Sequence, residues 1–385
     1  MPKPSQPTIG IFSASEFKVI PFPLDMACLL AKEGYQVKVI APVAKKISEH
    51  YAKLGVEIRR LKMLRKGTAR LKSLEFCIRA FFSSDKSYDV LIGVDAAGFL
   101  IAHLLKKLGR GKVLVYYALE LTLPQESKRN FSAWYQARFS KDADIVISTG
   151  RERAKVMQEE FKLASLPLTI QNCLPYLEPG KSSSLREMLR ERKVEVDFIV
   201  LYQGGLSRGR YIPEMIRSVK LWQPNSVLVI AGYDQENYAA KIREEIRKNE
   251  LQRRVFYLGW IPGSRDELLK LTSGADLGLA FHNYRENKSF SSLYWTSAKL
   301  YEYLGCGLPV LVSDNPSLRL SQEDGFALCI NPGEEEAIAA AVNRIISDRS
   351  LYQAMSENAL RLFREKYNYQ KQAEPFISKL KELIG

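Results

Sequence analysis

The run Thr296-Ser-Ala-Lys299-Leu-Tyr-Glu302-Tyr-Leu-Gly-Cys-Gly307-Leu-Pro309-Val-Leu-Val-Ser313 changes character half-way. Its first part is helix-forming, and Lys299 and Glu302, three residues apart, share one face. It stops at the turn Gly305-Cys-Gly307. Pro309 then leads into an unbroken apolar stretch, Pro309–Val312, the mark of a strand covered on both sides. Helix, tight turn and buried strand together make one unit of a parallel α/β sheet.

The same alternation extends outward in both directions. Strands are expected at Thr8–Phe12, Tyr35–Ala41, Tyr88–Val94, Val113–Tyr117 and Ile145–Ser148, with helices over 23–34, stopping at Gly34, and over Ala97–Leu108. The pattern pauses at about 172–195, where Asn172-Cys-Leu-Pro-Tyr-Leu-Glu-Pro-Gly-Lys-Ser-Ser-Ser is turn-rich. It resumes with strands at Phe198–Tyr202 (followed by Gly204-Gly205), Ser226–Ala231 (ending at Gly232), Val255–Leu258 and Leu277–Ala280. From about Glu334 the chain reads as helical, with a break near Lys366–Tyr369. A chain of 385 residues is too long for one ordinary core. The fold class is therefore α/β: two Rossmann-like doubly wound domains, expected to face a central cleft. The expected division is an N-terminal domain over 1–178, a linker over 179–195, a C-terminal domain over 196–365, and a terminal helix over 366–385 returning to the N-terminal domain.

Composition excludes several classes. The five cysteines are scattered without a Cys-x-x-Cys pair, and there are three histidines. That pattern argues against a zinc enzyme, a disulfide scaffold and a thiol protease. No stretch reaches the roughly 18 apolar residues of a spanning helix. The proline-rich start, Met1-Pro-Lys-Pro-Ser-Gln-Pro, lacks a signal-peptide core. A cytoplasmic location is the default expectation. The net charge is +14, and residues 1–180 hold 28 of the 57 basic residues but 17 of the 43 acidic ones. The basic excess thus lies in the first half, where it favours phosphate-rich or anionic partners.

A helix that starts at a sheet edge aims N–H groups and its positive dipole end outward. With Lys299 as a cation beside it, the first turn fits a diphosphate, and Glu302 suits the two hydroxyls of a ribose. The plainer reading is a surface Lys–Glu pair on an ordinary helix.

The run resembles the nucleotide-sugar-binding helix of GT-B glycosyltransferases of the glycosyltransferase family 4 type (glycosyl transferases group 1), commonly Lys-x-x-Glu-Tyr-x-x-x-Gly-x-Pro-Val. Other segments resemble the family in order. They include Leu201-Tyr-Gln-Gly-Gly-Leu-Ser-Arg-Gly209, Val229-Ile-Ala-Gly232, Val255-Phe-Tyr-Leu-Gly-Trp260, Gly274-Ala-Asp-Leu-Gly-Leu279 and, earlier, Tyr116-Tyr-Ala-Leu-Glu120 and Gln171-Asn-Cys-Leu-Pro175. The resemblance implies that Gly204 and Gly205 admit the donor diphosphate. Arg208, with Arg210 close behind it, and Lys299 would stabilise the leaving diphosphate, and Glu302 would hold the ribose. Trp260 and Ile261 fall where the family contacts the base, with core packing the alternative for Trp260. The family's second glutamate, eight residues before Glu302 on the sugar side, is Tyr294 here. The first loop, Phe12-Ser-Ala-Ser-Glu16, lacks the family's glycine pair.

Asp95 and Glu120 each follow a strand and would face an acceptor hydroxyl as orienting or basic carboxylates. For Asp95 a helix cap is the alternative. The segment Arg59–Lys72 carries seven basic and no acidic residues, interleaved with Ile58, Leu61, Met63, Leu64 and Leu71. It reads as a solvated face or as a contact with an anionic membrane surface. No nucleic-acid module accompanies the charge, so no nucleic-acid partner is expected.

The expected function is a hexosyltransferase-type glycosyltransferase (EC 2.4). It would move a sugar from a nucleotide-diphosphate sugar to a glycan or lipid-linked acceptor in surface polysaccharide or glycolipid synthesis, with retention favoured. No cofactor and no protein-bound metal are expected. A GT-B nucleotide-sugar epimerase and a non-catalytic nucleotide-binding scaffold are the alternatives.

Overall fold

A computed structural model describes residues 6–17, 21–64, 69–123, 131–178, 180–234, 237–260, 265–283, 293–294 and 297–385. Ile261 and residues 65–68 of the basic segment lie outside the described residues. The chain forms two compact units, residues 1–171 with 372–385, and residues 172–371.

The first unit is built on seven parallel strands: β1 (Thr8–Phe12), β2 (Gln36–Ala41), β3 (Val56–Arg60), β4 (Tyr88–Val94), β5 (Gly111–Ala118), β6 (Ile145–Ser148) and β7 (Leu168–Thr169). Their order is β3-β2-β1-β4-β5-β6-β7, so the winding reverses between β1 and β4. The helices are α1 (Phe22–Lys32), α2 (Lys45–Ala52), α3 (Ala69–Ser83), α4 (Asp95–Lys107), α5 (Phe131–Phe139) and α6 (Arg151–Glu160). Ile9, Ile11, Val39, Val90, Ile92, Leu114 and Val115 are buried on both sides of the sheet, as parallel strands require.

The second unit holds six parallel strands: β8 (Phe198–Gln203), β9 (Ser226–Ala231), β10 (Val255–Gly259), β11 (Leu277–Ala280), β12 (Val310–Ser313) and β13 (Ala327–Ile330). Their order is β10-β9-β8-β11-β12-β13, with the reversal between β8 and β11. Side-chain alternation divides the core. Ile199 and Leu201 of β8 face one cluster with Leu300, Leu304 and Phe363. Val200 and Tyr202 face the other with Ile216, Ile242 and Val342. The helices are α7 (Ser184–Glu191), α8 (Ile212–Ser218), α9 (Tyr238–Lys248), α10 (Arg265–Ser273), α11 (Ala298–Gly305), α12 (Arg319–Glu323), α13 (Glu335–Ser347) and α14 (Arg349–Glu365). The last helix, α15 (Tyr369–Ile384), starts after the Lys366–Tyr369 break. Its Lys381 Nζ donates to Glu33 Oε2 beyond the end of α1 at 2.7 Å.

Two local differences from expectation have clear causes. The stretch 179–195 is not a bare linker: it carries α7, because Leu185 and Leu189, one turn apart, are both buried in the second unit's core. The basic segment is split. Arg59 belongs to edge strand β3, where its guanidinium meets Asp85 at 2.6 Å and Glu57 at 2.9 Å. Leu61 is buried, and Arg70 and Lys72 lie in α3.

Candidate active site

The reversal between β8 and β11 opens a crevice at the carboxyl ends of those strands, where doubly wound sheets bind ligands. Gln203 ends β8, and Gly204 follows with φ +120°, a backbone conformation that suits glycine. A Cβ at Gly204 would sit 3.1 Å from Lys299 Cε and Nζ. A Cβ at Gly232 would fall 1.8 Å from the Gly204 carbonyl oxygen. The two glycines let the β8 and β9 ends close over each other and bring bare backbone up to Lys299. Gly205 is tied down by its carbonyl, which accepts the Tyr202 hydroxyl at 2.8 Å.

Helix α11 begins in this crevice. Its cap, Ser297, makes no side-chain capping bond. The buried Ser297 Oγ and Lys299 Nζ both lack a hydrogen-bond partner among the described residues. Lys299 is 8% exposed, and its Nζ lies 4.0 Å from the centroid of the Tyr202 ring. Burial, reinforced by the charge of Arg210 and opposed by Glu302, holds the Lys299 amine well below the ordinary lysine value. Buried polar groups in folded proteins are nearly always satisfied. Two orphans on the first turn of one helix, beside its positive end, form an arrangement that can accept an anion.

Glu302 does not pair with Lys299, which removes the surface ion pair as an explanation. Instead Gln203 Nε2 donates to Glu302 Oε2 at 2.6 Å. The Gln203 Oε1 accepts from Thr272 Oγ1 at 2.7 Å. Burial raises the Glu302 carboxyl, and the Gln203 bond, Arg265 and Lys299 pull it back. Tyr303 anchors the helix: its hydroxyl accepts Gln203 N–H at 3.0 Å and donates toward Leu201 O at 3.1 Å.

The two arginines differ in surroundings. Arg210 Nη1 donates to His282 Nδ1 at 2.8 Å. Arginine has no acceptor, so this bond requires His282 Nδ1 to be the unprotonated ring nitrogen. The charge of Arg210 is felt at Lys299 and Tyr202. That of Arg208 is felt at Tyr238. Trp260 is 50% exposed and edge-on to Tyr233 at 5.6 Å, so core packing does not account for it. Tyr294 is half-buried.

The first unit carries a separate polar cluster at the ends of β4, β5 and β6. Asp95 opens α4 with φ +52°, strained for a non-glycine residue. Its Oδ1 accepts the N–H groups of Leu119 at 2.9 Å and Glu120 at 3.0 Å. It therefore secures the segment after β5 and does not cap its own helix. Burial pushes the Asp95 carboxyl up to about 7. Glu120 is exposed. Arg153, 4% exposed, donates to Leu119 O at 2.9 Å. Its charge, like that of Glu120, acts on Asp95.

Sequence reasoning did not single out Gln203, Thr272, His282 or Arg153. Gln203 had a signal, being the last polar residue before the Gly204-Gly205 pair. Arg153 had none.

The model of glycosyl transferases group 1 matches residues 186–362, and that of the glycosyl transferase 4-like domain matches residues 21–161. The chain belongs to the group 1 glycosyltransferases of the GT-B fold. Among curated proteins it is 22% identical over 241 residues to the chitobiosyldiphosphodolichol beta-mannosyltransferase of Candida albicans, covering 59% of this chain and 51% of that protein. The chain thus spans about half the length of this curated relative. Among solved structures, Anabaena Alr3699/HepE in complex with UDP and glucose superposes with a TM-score of 0.74 at 16% identity, over 98% of this chain and 100% of that one. The sucrose-phosphate synthase of Thermosynechococcus elongatus gives a TM-score of 0.73 at 16% identity, over 98% and 99%. These likenesses establish the fold.

Proposed function

We propose that this glycosyltransferase takes its sugar from a nucleotide diphosphate donor and passes it, with retention, to a hydroxyl of a glycan or lipid-linked acceptor. The observation that carries the reading is the pair of buried, unpartnered groups, Ser297 Oγ and Lys299 Nζ, at the first turn of α11. The diphosphate lies between that turn and the backbone of Gly204. Lys299 and Arg210 neutralise the charge that grows on the leaving diphosphate. No resident metal takes part in this scheme. Glu302, steadied by Gln203 and Thr272, accepts hydrogen bonds from the ribose, and Trp260 stacks near the base. In the first unit, Asp95 and Glu120 orient the acceptor hydroxyl.

HepE, captured with UDP and glucose, supports a nucleotide-sugar donor. The name of the Candida relative supports a lipid-linked glycan acceptor, and with it a role in surface polysaccharide or glycolipid synthesis. No described helix is long and apolar enough to cross a membrane. The reading places the enzyme in the cytoplasm, peripheral on the inner face of the membrane.

The test is thermal stability under titration with UDP, GDP and ADP, followed by product analysis with a panel of nucleotide sugars. A shift with one nucleotide, and sugar transfer that requires an acceptor, supports the reading. No shift with any nucleotide overturns it in favour of a scaffold. Rapid conversion of donor alone into a new sugar overturns it in favour of an epimerase.

A further inference from the structure

We propose that the outward face of α3, with Leu64 fastened beside it, is the surface by which this protein docks on an anionic lipid membrane. The inference rests on the membrane reading above but not on the sugar-transfer chemistry.

Helix α3 is amphipathic in the wrong sense for a solvated helix. Phe76 and Ala80 face the sheet and are 1% and 0% exposed. On the opposite side Leu71, Leu74, Ile78 and Phe82 are 60%, 58%, 50% and 82% exposed. Their spacing of three, four and four residues keeps them within an arc of about 80°. Scattered exposed leucines are ordinary, but a contiguous stripe of large apolar side chains marks an interaction surface.

Leu64 joins the stripe through a specific bond. Its N–H donates to Glu75 Oε1 at 2.9 Å and Oε2 at 3.1 Å. Arg79 Nε donates to the same carboxylate at 2.7 Å. Leu64 itself stays 65% exposed. Glu75 is the sole acidic residue of α3. The bond to the Leu64 N–H, together with Arg79, holds its carboxyl below the usual range. The single negative charge on this helix is therefore spent inside the protein.

The surrounding charge selects the partner. Lys72 of α3 and Lys62, on the approach to Leu64, are both exposed, whereas Arg79 is engaged by Glu75. Cations flanking a bulky apolar ridge match lipid phosphates above acyl chains. A second copy of this chain would set like charges against each other around the same ridge. The neighbouring layer points the same way. Helix α4 packs on both α3 and α5, and α5 exposes Phe131 and Trp134, 64% and 52%. Tryptophan is enriched at the level of lipid headgroups. The docking surface is thus not the whole Arg59–Lys72 segment: Arg59 is engaged by Asp85 and Glu57, and the apolar contact comes from α3.

The experiment is vesicle flotation of the full chain, with phosphatidylcholine vesicles containing or lacking phosphatidylglycerol, at low and high salt. The wild type is expected to float with the anionic vesicles at low salt. Ile78→Glu with Phe82→Glu should lower the bound fraction at least roughly tenfold. Lys72→Glu should lower it on the order of fivefold and flatten the salt dependence. All three positions are on the surface, and unchanged melting of the variants confirms folding. Failure of the wild type to float with anionic vesicles overturns the proposal. So does flotation that the double substitution leaves intact. Concentration-dependent dimerisation that the double substitution abolishes assigns the face to a second copy and overturns it as well. Nucleotide-induced stabilisation, measured on the same variants, reports on the donor site alone. Its absence would fail the proposed function while leaving the docking result standing.

Discussion

Lys299 Nζ stands 4.0 Å from the centroid of the Tyr202 ring and has no hydrogen-bond partner among the described residues. A buried ammonium over an aromatic face is attracted to the ring, but one ring does not replace the hydration the group has lost. The unliganded protein carries that deficit, and an anionic ligand removes it. Lys299→Met is therefore expected to raise the melting temperature of the unliganded protein by a few degrees, about 1–2 kcal/mol. The same variant should lose the stabilisation by UDP or whichever nucleotide shifts the wild type. Scanning calorimetry with and without nucleotide checks both halves. A lowered melting temperature for the unliganded variant would show that Lys299 stabilises the fold.

The same lysine dictates an alkaline pH dependence. Its folded amine titrates below the ordinary value of 10.5. Between that lowered point and 10.5 the unfolded chain binds more protons than the folded one, so stability rises with pH there. Nucleotide affinity moves oppositely, falling as the ammonium is lost. Lys299→Arg, which keeps its charge, should abolish the alkaline loss of affinity. Isothermal titration from neutral to alkaline pH tests the pair.

Gln203 links Glu302 to Thr272 through bonds of 2.6 and 2.7 Å. Gln203→Ala removes the partner of the Glu302 carboxylate, while the Thr272 hydroxyl keeps Leu268 O at 2.7 Å, a loss of about 1–3 kcal/mol. Its signature should be a raised KM for the donor with a smaller change in kcat, because the proposed ribose contact would be made in ground and transition state alike. An unchanged KM would detach Glu302 from the donor.

Asp95 supplies a prediction of opposite sign. Burial pushes its carboxyl up to about 7 from the ordinary aspartate value of 3.8. The folded protein then holds more protons than the unfolded one across that window, so stability falls as pH rises from about 4 to 7. Asp95→Asn keeps an oxygen for the Leu119 and Glu120 N–H groups and should flatten the profile. If Asp95 serves the acceptor hydroxyl, the variant also loses turnover while its donor affinity is unchanged. Melting temperature against pH and steady-state kinetics separate the two roles.

What could be read from the chain follows from where the burial lies. Strands Tyr88–Val94, Ile145–Ser148, Ser226–Ala231 and Leu277–Ala280 sit inside their sheets and are predominantly apolar, so their limits coincide with the structure. Edge strand β3 escaped notice because of its five residues only Val56 is buried. Helix α7 was hidden because its two buried leucines lie in a serine- and charge-rich stretch. The site divides in the same way. Lys299 and Glu302 share one helix face, and helical spacing finds them. Gln203, Thr272 and His282 come from three separate segments that only the strand order brings together, and no local pattern contains that information.

The strand order also distinguishes the two arginines that sequence alone ranked with Arg208 first. Tyr211, at φ +56°, turns the chain sharply after them, and Asn283 N–H donates to Gly209 O at 2.8 Å. That bond pins the Arg208–Arg210 turn to the end of β11. From it, Arg210 is held by His282 and acts on Lys299, whereas the charge of Arg208 is felt at Tyr238. Both would be drawn to a diphosphate, but only Arg210 already contributes to the positive field around the orphaned lysine. Arg210→Ala is expected to weaken nucleotide diphosphate binding by about 2 kcal/mol or more, and Arg208→Ala by less than half of that. The difference should shrink when the nucleoside monophosphate replaces the diphosphate, because fewer phosphate oxygens remain to be paired. Equal losses for the two variants, or a larger loss for Arg208→Ala, would return the phosphate role to Arg208.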